Sequence, residues 1–93
     1  MTSESKEWHV YILLCRNGPY YVGVTNDLKR RCQEHAAGRG GHYTKQNWPA
    51  RLVYAEQFSS RAQAEPRERQ LKGWTRAKKA ALIAGDLSLL KKL

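Results

Sequence analysis

The 93-residue sequence has only two cysteines and no long apolar run, and each shortage excludes a class of protein. Cys15 and Cys32 form no Cys-x-x-Cys pattern, which fits a reducing, cytoplasmic setting. A zinc site built from Cys15, Cys32, His35 and His42 is disfavoured because the ligand spacing is irregular. The longest strongly apolar run, from Val10 to Cys15, is far too short to cross a bilayer. The polar N-terminus lacks the apolar core of a signal peptide, so none is expected.

Acidic residues are also scarce. Eight Asp and Glu face 17 Lys and Arg, for a formal net charge of +9. From Arg61 onward there are nine basic and three acidic residues, so six of the nine excess charges lie in the last third of the chain. Such an excess predicts a polyanionic partner, most commonly nucleic acid. Charge alone leaves open a solvated basic surface or a protein that binds ribosomal RNA.

The remaining composition is typical of one small globular domain. A hydrophobic fraction of 41% and an aromatic fraction of 10% suffice for a small core. A chain of this length has little room for anything beyond that core. We therefore expect a flexible tail over residues 1–7 and a single domain over residues 8–93.

Hydrophobic patterning and turn residues predict an α+β fold, a small three-stranded antiparallel sheet flanked by helices. Strands are expected over residues 8–15, 20–25 and 51–58, with a long loop over residues 38–49. A short closing helix, with leucines at 87, 89, 90 and 93, is expected to dock on the core. The other helices are expected from a cap at Asn26 or Asp27 to about residue 37, from Ser60 to about residue 74, and from a cap at Thr75 to Gly85.

The first two strands are joined by the turn signal Arg16-Asn17-Gly18-Pro19, and side-chain alternation suggests their register. A three-residue loop over residues 17–19 makes one sheet face almost wholly apolar. The opposite face then carries Tyr11, Tyr21 and Gly23, with the two tyrosines at separate points. We expect a cleft over this tyrosine-bearing face.

Two charged residues point inward on their predicted helices. Arg31 lies on the same stripe as Cys32, and Glu68 lies on the same face as Leu71. Because an unpaired buried charge is very costly, one interpretation is that Arg31 and Glu68 pair with each other. The other is that Arg31 holds a phosphate with its planar donors, while Glu68 binds a hard divalent cation. The residues alone leave both interpretations open.

The shared face of Tyr11, Tyr21 and Gly23 favours a site over ordinary strand positions. A glycine lets a backbone or a phosphate approach closely. A tyrosine hydroxyl can orient or deprotonate water if nearby cations lower its pKa.

Four motifs occur in an order that is typical of one family. The tripeptide His9-Val10-Tyr11 is followed after nine residues by Tyr21-Val22-Gly23. Next comes Gly23-x-Thr25-x-x-Leu28-x-x-Arg31-x-x-x-His35, and later Glu68-Arg69-Gln70-Leu71-Lys72-Gly73-Trp74. These segments resemble the two signature tripeptides, the arginine helix and the metal-binding block of GIY-YIG nucleases. The likeness runs roughly from Trp8 to Ile83 and is greatest to small bacterial single-domain proteins related to Slx-type structure-specific endonucleases.

The resemblance implies a DNA endonuclease that depends on Mg²⁺ or Mn²⁺. Tyr11 would activate or position water, and Tyr21 would be the second active-site tyrosine. Arg31 would stabilise the negative charge that develops on the scissile phosphate, and Glu68 would hold the metal ion. His35, one turn beyond Arg31, would join proton transfer or bind phosphate.

A basic surface around this centre would bind the substrate without sequence preference. The residues expected to contact it are Gly23, Lys29, Arg30, Tyr43, Lys45, Lys72, Arg76 and Lys78. Three features depart from the family pattern. His9-Val10 replaces Gly-Ile, which leaves the required tyrosine intact, and Pro66 precedes Glu68 by two residues. The asparagine that occurs late in some relatives has no obvious counterpart in this sequence. Pro66 should either kink its helix or delay the start of that helix.

Two substrate classes fit these expectations. One is branched or flapped DNA, as occurs in repair or recombination, and the other is single-stranded DNA. A chain this short has no room for a separate recognition domain, so targeting must come from the loop, the helices or a partner protein. The competing interpretation is a non-catalytic module that keeps the nuclease fold and binds nucleic acid, which could be RNA.

Overall fold

The structure, a computed structural model, describes residues 7–16, 18–36 and 50–93. These residues form a three-stranded antiparallel sheet, in the order β2-β1-β3, with four helices. The predicted α+β fold is therefore confirmed. The predicted loop over residues 38–49 and most of the predicted tail lie outside the described residues. The elements are β1 (Trp8–Cys15), β2 (Tyr20–Thr25), α1 (Leu28–Ala36), β3 (Ala50–Phe58), α2 (Arg61–Lys72), α3 (Arg76–Ala84) and α4 (Leu87–Lys92).

The β1–β2 hairpin closes one residue earlier than the alternation suggested. The amide of Cys15 donates to the carbonyl of Pro19 at 2.9 Å, so the loop is residues 16–18 and not 17–19. Gly18 in this loop has a φ of 106°, a left-handed conformation that glycine adopts without steric cost. The pairing consequently shifts by two residues and sets Tyr11 opposite Gly23. Because the shift is even, every side chain keeps its predicted face.

The third strand pairs with the other edge of β1 and contains a bulge. Tyr54 lies opposite Ile12 and Leu52 lies opposite Leu13, so Val53 is an additional residue between the two pairs. Paired residues of an antiparallel sheet share a face. The bulge therefore keeps Tyr54 on the side of Ile12, which faces the helices α2 and α3, while Leu52 lies on the tyrosine-bearing side.

The main core lies between the sheet and α2. The tyrosine-bearing face is also covered, since Tyr11 and Leu13 are each 1% exposed. The central strand β1 is thus buried on both sides, as expected for a strand this rich in apolar residues. The buried residues of the main core are Val10, Ile12, Val22, Ala64, Leu71 and Leu82.

Helix α2 begins where the capping signal predicts and is not interrupted by Pro66. The Ser60 hydroxyl accepts a hydrogen bond from the Gln63 amide at 3.2 Å, as an N-cap does. Pro66 lies in the middle of Arg61–Lys72 and cannot donate to the carbonyl of Ala62. Both residues are exposed, so water can satisfy that carbonyl. Of the two expected effects of Pro66, a later helix start is therefore wrong, and Glu68 keeps its place on the face of the buried Leu71.

The last two helices follow their predicted signals, with one correction. The Thr75 hydroxyl caps α3 by accepting from the Lys78 amide at 3.2 Å, and Gly85 ends α3 with a φ of 72°. Helix α4 exists as predicted, but only part of it docks. Leu90 packs against the core, whereas Leu87 is 63% exposed. Because α4 spans less than two turns, a single leucine can face the core.

Candidate active site

The centre of the tyrosine-bearing face is the pair formed by Tyr11 on β1 and Gly23 on β2. A Cβ atom added to Gly23 would lie 2.5 Å from the Tyr11 hydroxyl oxygen and 2.6 Å from Cζ. The Tyr11 ring therefore crosses directly over Gly23 and occupies the volume that a side chain would need. From the sequence, this glycine was expected to admit a phosphate or a backbone segment. The described structure shows that it accommodates the Tyr11 ring.

Tyr21 lies diagonally across the same face from Tyr11. Its pairing partner on β1 is Leu13, and the two tyrosine rings are 6.4 Å apart between centroids with planes tilted by 39°. This separation is within the range of favourable aromatic pairs. The expectation that the tyrosines are not directly opposed agrees with this geometry, although their rings are close enough to interact.

Helix α1 brings Arg31 to this face, and its start is fixed by a local cap. The Asp27 carboxylate accepts a hydrogen bond from the Arg30 amide at 3.1 Å. The buried Thr25 hydroxyl accepts one from the Asp27 amide at 3.1 Å. These two bonds connect the end of β2 to the first turn of α1, so the position of Arg31 follows from the sheet.

Arg31 bridges a tyrosine and a carboxylate. Its side chain donates a hydrogen bond to the Tyr11 hydroxyl, and its Nη1 lies 3.1 Å from Glu34 Oε1. The sequence predicted that an inward arginine needs a carboxylate partner, with Glu68 as the candidate. The partner is instead Glu34, one turn along the same helix. Both Arg31 and Glu34 side chains remain about one third exposed, at 35% and 33%.

Tyr11 is protonated at neutral pH in this setting. Burial raises its pKa, the hydrogen bond from Arg31 lowers it by less, and Tyr21 raises it further, so the pKa is about 12. The sequence suggested that nearby cations would lower this pKa, but the single guanidinium of Arg31 does not overcome the desolvation. Tyr11 can consequently donate its own proton in a hydrogen bond while it accepts one from Arg31.

Access to this cluster is one-sided. The Tyr11 side chain is 1% exposed, whereas the side chain of Arg31 is 35% exposed. The described residues enclose no pocket, so the cleft expected over this face is not formed by them. Within the described part of the chain, Arg31 is the exposed end of its hydrogen bond with Tyr11.

Glu68 lies on α2, which packs against the other face of the sheet. It is on the same side of the helix as the buried Leu71, as predicted, and its side chain is 17% exposed. Its Oε2 is 3.1 Å from the Nζ of Lys72. No hydrogen bond or ion pair joins Glu68 to Tyr11 or Arg31 among the described residues. The structure thus gathers Tyr11, Tyr21, Gly23 and Arg31, and places Glu68 with Lys72 as a separate pair.

The predicted substrate-binding cations occupy several different positions. Lys29 and Arg30 are exposed on α1, and Arg30 Nε lies 3.9 Å from both Asp27 and Glu34. Arg76 stacks over the Tyr20 ring at 4.5 Å and donates to the Gly18 carbonyl at 2.5 Å, so it fastens the hairpin loop to α3. Lys78 Nζ lies 5.0 Å from the centre of the Trp74 ring. The side chains of His35, Tyr43 and Lys45 lie outside the described residues.

Comparison with known proteins shows the family to which the chain belongs. Residues 7–81 match the family described as the GIY-YIG catalytic domain. The chain belongs to the GIY-YIG family. A UPF0213 protein of Xanthomonas axonopodis pv. citri is 49% identical to it over 78 residues, which are 84% of this chain and 76% of that protein. A UPF0213 protein of Halobacterium salinarum is 45% identical over 75 residues, 81% of this chain and 97% of that protein.

Two solved structures resemble this GIY-YIG domain. The solution NMR structure of a UPF0213 protein from Bacillus halodurans has a TM-score of 0.55 and 40% identity, and the match covers 84% of this chain and 83% of that one. The solution NMR structure of a protein from E. faecalis has a TM-score of 0.59 and 31% identity, with 90% of each chain covered. The resemblance to small single-domain GIY-YIG proteins is confirmed, and family membership places the chain in a nuclease superfamily.

The metal donors of this GIY-YIG domain are sparse in the described part of the chain. No group of three or more His, Cys, Asp or Glu side chains is positioned to hold an ion there. Cys15 and Cys32 are free thiols, and burial raises the pKa of both, so neither favours the thiolate that zinc binds. The described helices also include none long and apolar enough to cross a membrane.

Two acidic residues have roles that sequence reasoning missed. Glu34 pairs with Arg31, as described above. Glu56 on β3 accepts two hydrogen bonds from Arg67 of α2, at 3.0 and 2.8 Å, and one from the Tyr54 hydroxyl. The spacing of Arg31 and Glu34, three residues apart on a helix, was a visible signal for the first pair. The second pair joins different elements and had no local signal.

Proposed function

We propose that this protein is a divalent-metal-dependent DNA endonuclease that hydrolyses phosphodiester bonds of single-stranded or branched DNA. The supporting observation is the hydrogen bond between the buried Tyr11 hydroxyl and the partly exposed Arg31, in a chain of the GIY-YIG family. A phosphate bound by Arg31 would lie next to a tyrosine hydroxyl. That arrangement suits an attack on phosphorus by a positioned water molecule.

In this proposal Tyr11 and Arg31 divide the chemistry between them. Arg31 binds the scissile phosphate and stabilises the charge that develops on its oxygens. Tyr11, whose pKa is about 12, holds the attacking water by a hydrogen bond. Tyr21 borders the same face and limits the directions in which the water can lie. Because Tyr11 is protonated, it can accept a proton from water only after losing its own. Its first role in the proposal is therefore to orient the water molecule.

The carboxylate of Glu68 is a suitable ligand for a magnesium or manganese ion. These ions prefer carboxylate oxygens, and Mg²⁺ keeps several waters and needs few protein ligands. Glu68 is largely buried, with Lys72 as its ion-pair partner, and a bound ion would take the place of Lys72 at the carboxylate. When bound, the ion would supply positive charge that acidifies water and stabilises the departing oxygen.

A non-catalytic nucleic-acid-binding module is the second candidate, and two observations favour it. Tyr11 is 1% exposed, and Glu68 pairs with Lys72 without contact to Arg31 in the described residues. A protein that binds nucleic acid through Arg31 and the surrounding cations needs neither an accessible Tyr11 nor a metal ion. The net charge of +9 supports both candidates equally.

A cleavage assay separates the two candidates. Labelled single-stranded, duplex and branched DNA are incubated with the protein in Mg²⁺, in Mn²⁺ and in EDTA. The proposal expects metal-dependent cleavage that is lost in Arg31→Ala and in Glu68→Ala. Arg61→Ala and Glu65→Ala are matched controls, because these two residues form an exposed ion pair elsewhere on α2. Binding without cleavage of any substrate would support the module instead.

Three other results of the same assay would contradict the assignment of the metal ligand, of the phosphate site or of metal dependence. If cleavage survives Glu68→Ala at the wild-type rate and with the same Mg²⁺ dependence, Glu68 does not hold the ion. If cleavage survives Arg31→Ala, the phosphate is not bound where the proposal places it. Cleavage that remains complete in EDTA would reject metal dependence altogether.

A further inference from the structure

The positive charges of the hairpin loop and of α3 have no neighbouring carboxylates along the chain. The sequence contains no Asp or Glu over residues 8–26, which include the β1–β2 hairpin, or over residues 69–85, which include all of α3. Arg16 lies in the hairpin loop, and Arg76 and Lys79 lie on α3. None of these three residues forms an ion pair within the described part of the chain. Their charges are therefore not neutralised locally.

Arg76 connects the hairpin loop to α3 and keeps its charge. Its guanidinium carbon lies 4.5 Å from the centre of the Tyr20 ring, and its Nη1 donates to the Gly18 carbonyl at 2.5 Å. Both partners are neutral, so they orient the guanidinium without cancelling its charge. Lys79 follows Arg76 by three residues and therefore leaves the same side of α3. Arg16 precedes Gly18 by two residues in the loop that Arg76 holds, and these three cations form what we call the hairpin–α3 surface.

The hairpin–α3 surface lies on the opposite side of β2 from the candidate active site. Successive residues of a strand point to opposite faces of the sheet. Tyr20 lies on the side of the main core, where Arg76 covers its ring, whereas the ring of Tyr21 lies beside Tyr11 on the other face. Because β2 is an edge strand, a nucleic acid bound at Arg31 can reach the hairpin–α3 surface only around that edge or with another of its segments.

The two sides of β2 also differ in their charge balance. At the start of α1, Arg30 and Arg31 face Asp27 and Glu34, so these four formal charges cancel, and Lys29 adds a single positive charge. The hairpin–α3 surface carries three positive charges without an ion pair to a described carboxylate. Cations that replace the counterions of a nucleic acid backbone supply the affinity of nonspecific binding. The side of the molecule away from Tyr11 is therefore the better source of that affinity.

We propose that the hairpin–α3 surface is a second nucleic-acid-binding surface, which holds the sugar–phosphate backbone of a substrate segment away from the cleaved linkage. This inference rests on the proposed function for the identity of the ligand, a nucleic acid. Contacts between cations and phosphates position a strand and carry no sequence information. The hairpin–α3 surface thus supplies affinity without sequence preference, and the opposite side of β2 supplies the chemistry.

The salt dependence of binding tests this surface. A fluorescein-labelled oligothymidylate of about 20 nucleotides is titrated with the full chain in EDTA at several salt concentrations, and fluorescence anisotropy gives the binding constant. Each phosphate contact with a single strand contributes about 0.7 to the slope of log K against log salt. Arg16→Gln and Lys79→Gln should each reduce the slope by about 0.7, and the double variant by about 1.4. At about 0.1 M salt these reductions correspond to losses of affinity on the order of fivefold and 25-fold, ten to the power of 0.7 and 1.4.

Arg61→Gln is the matched control because it removes the same charge from a different place. Arg61 lies over the Trp8 ring, at the end of β1 away from the hairpin loop, and pairs with Glu65. This variant should leave the slope unchanged. Arg76 is not replaced, since it also fastens the hairpin loop. Thermal unfolding should place each variant within about 0.5 kcal/mol of the wild type, as is usual for surface substitutions.

Three results would overturn the proposal. An unchanged slope in both Arg16→Gln and Lys79→Gln means that no phosphate contacts these residues. An equal reduction in Arg61→Gln and Lys79→Gln means that only the overall charge matters. Binding to phosphatidylserine vesicles that depends on Arg16 and Lys79, without binding to the oligothymidylate, would show that the surface binds a membrane.

The test is independent of cleavage. An unchanged slope in a protein that cuts DNA through Arg31 rejects the hairpin–α3 surface and leaves the nuclease proposal standing. The expected reductions in a protein that cuts no DNA reject the nuclease proposal and retain the second surface.

Discussion

Replacing Gly23 by alanine is the sharpest test of the site geometry, because a single methyl group would collide with the Tyr11 ring. The new Cβ would lie 2.5 Å from the hydroxyl oxygen and 2.6 Å from Cζ, where ordinary contact begins at 3.4 Å. The hydroxyl therefore has to retreat by about 0.9 Å, which is 3.4 minus 2.5. Tyr11 is 1% exposed, so its ring cannot move freely into solvent.

Two magnitudes follow from this displacement. Inserting a methyl group into a packed region costs about 1–3 kcal/mol in the free energy of unfolding. The lower part of that range applies if the ring can tilt toward Tyr21, whose ring centre is 6.4 Å away. A displacement of about 1 Å in a catalytic group also lowers the rate on the order of a hundredfold. We expect cleavage to suffer more than stability.

Denaturant unfolding and the cleavage assay measure the two effects. Gly73→Ala is the matched control, because a Cβ at Gly73 would meet its nearest atom, the Gln70 carbonyl oxygen, at 3.6 Å. That variant should unfold within about 1 kcal/mol of the wild type. A double variant with Tyr11→Ala removes the ring, so the stability cost of Gly23→Ala should largely disappear in that background.

The reasoning would be refuted if Gly23→Ala costs the same free energy of unfolding with and without the Tyr11 ring. Equal costs would mean that the alanine acts through the strand backbone. Wild-type cleavage in Gly23→Ala would equally show that the observed position of the Tyr11 hydroxyl is not needed for the reaction.

Three further predictions concern protonation and packing. Tyr11→Phe should reduce the loss of stability at high pH. The pKa of Tyr11 is about 12 in the folded state against an ordinary 10.0, so the protonated hydroxyl contributes about 3 kcal/mol to the free energy of unfolding below pH 10.0. This contribution is lost as the pH rises through 12. Glu56→Gln should reduce acid sensitivity. Burial raises the pKa of Glu56, but the hydrogen bonds from Arg67 and Tyr54 and the charge of Arg67 together outweigh burial and lower it. The stabilisation by Glu56 therefore exists above the ordinary carboxyl pKa and is lost as the pH falls. Thermal unfolding should show that Leu90→Ala destabilises by about 1–3 kcal/mol and Leu87→Ala by less than about 0.5, since only Leu90 contacts the core.

Most of the fold could be predicted because its signals are local. The strand from Trp8 to Cys15 combines β-branched and aromatic residues and is bounded by a turn. Ser60 and Thr75 are capping residues at the expected positions, and Gly85 ends its helix in the left-handed conformation. Each of these signals depends on neighbours within four residues, which is the range over which a sequence can be interpreted without tertiary contacts.

The hairpin register was less predictable because two loops satisfy the same alternation. Loops over residues 16–18 and 17–19 keep every side chain on the same face, and they differ only in the pairing partner of each residue. Gly18, which takes the left-handed conformation, lies inside both loops and therefore does not distinguish between them. The faces were therefore predicted correctly while the pairing of Tyr11 with Gly23 was not.

The pairing of the two charged candidates was the least predictable part of the site. Arg31 and Glu68 both point inward on their helices, and the cost of a buried charge predicts that each has a partner. That argument does not say which partner, because α1 and α2 lie against different faces of the sheet. Once the sheet separates the helices, each charge pairs with an opposite charge three or four residues along its own helix: Glu34 for Arg31 and Lys72 for Glu68.

These local pairs bear directly on how the site could work. Under the proposed function, an arginine paired within its own helix would be held in position without help from Glu68, and the phosphate would be bound from α1 and the adjoining face of the sheet. Glu68 would then exchange Lys72 for a cation without disturbing Arg31 or Tyr11. If the two halves are independent in this way, Glu68→Ala should abolish cleavage but leave the affinity of Arg31 for a phosphodiester unchanged in the metal-free protein. A loss of both in that variant would show that the halves are coupled through contacts across the sheet edge.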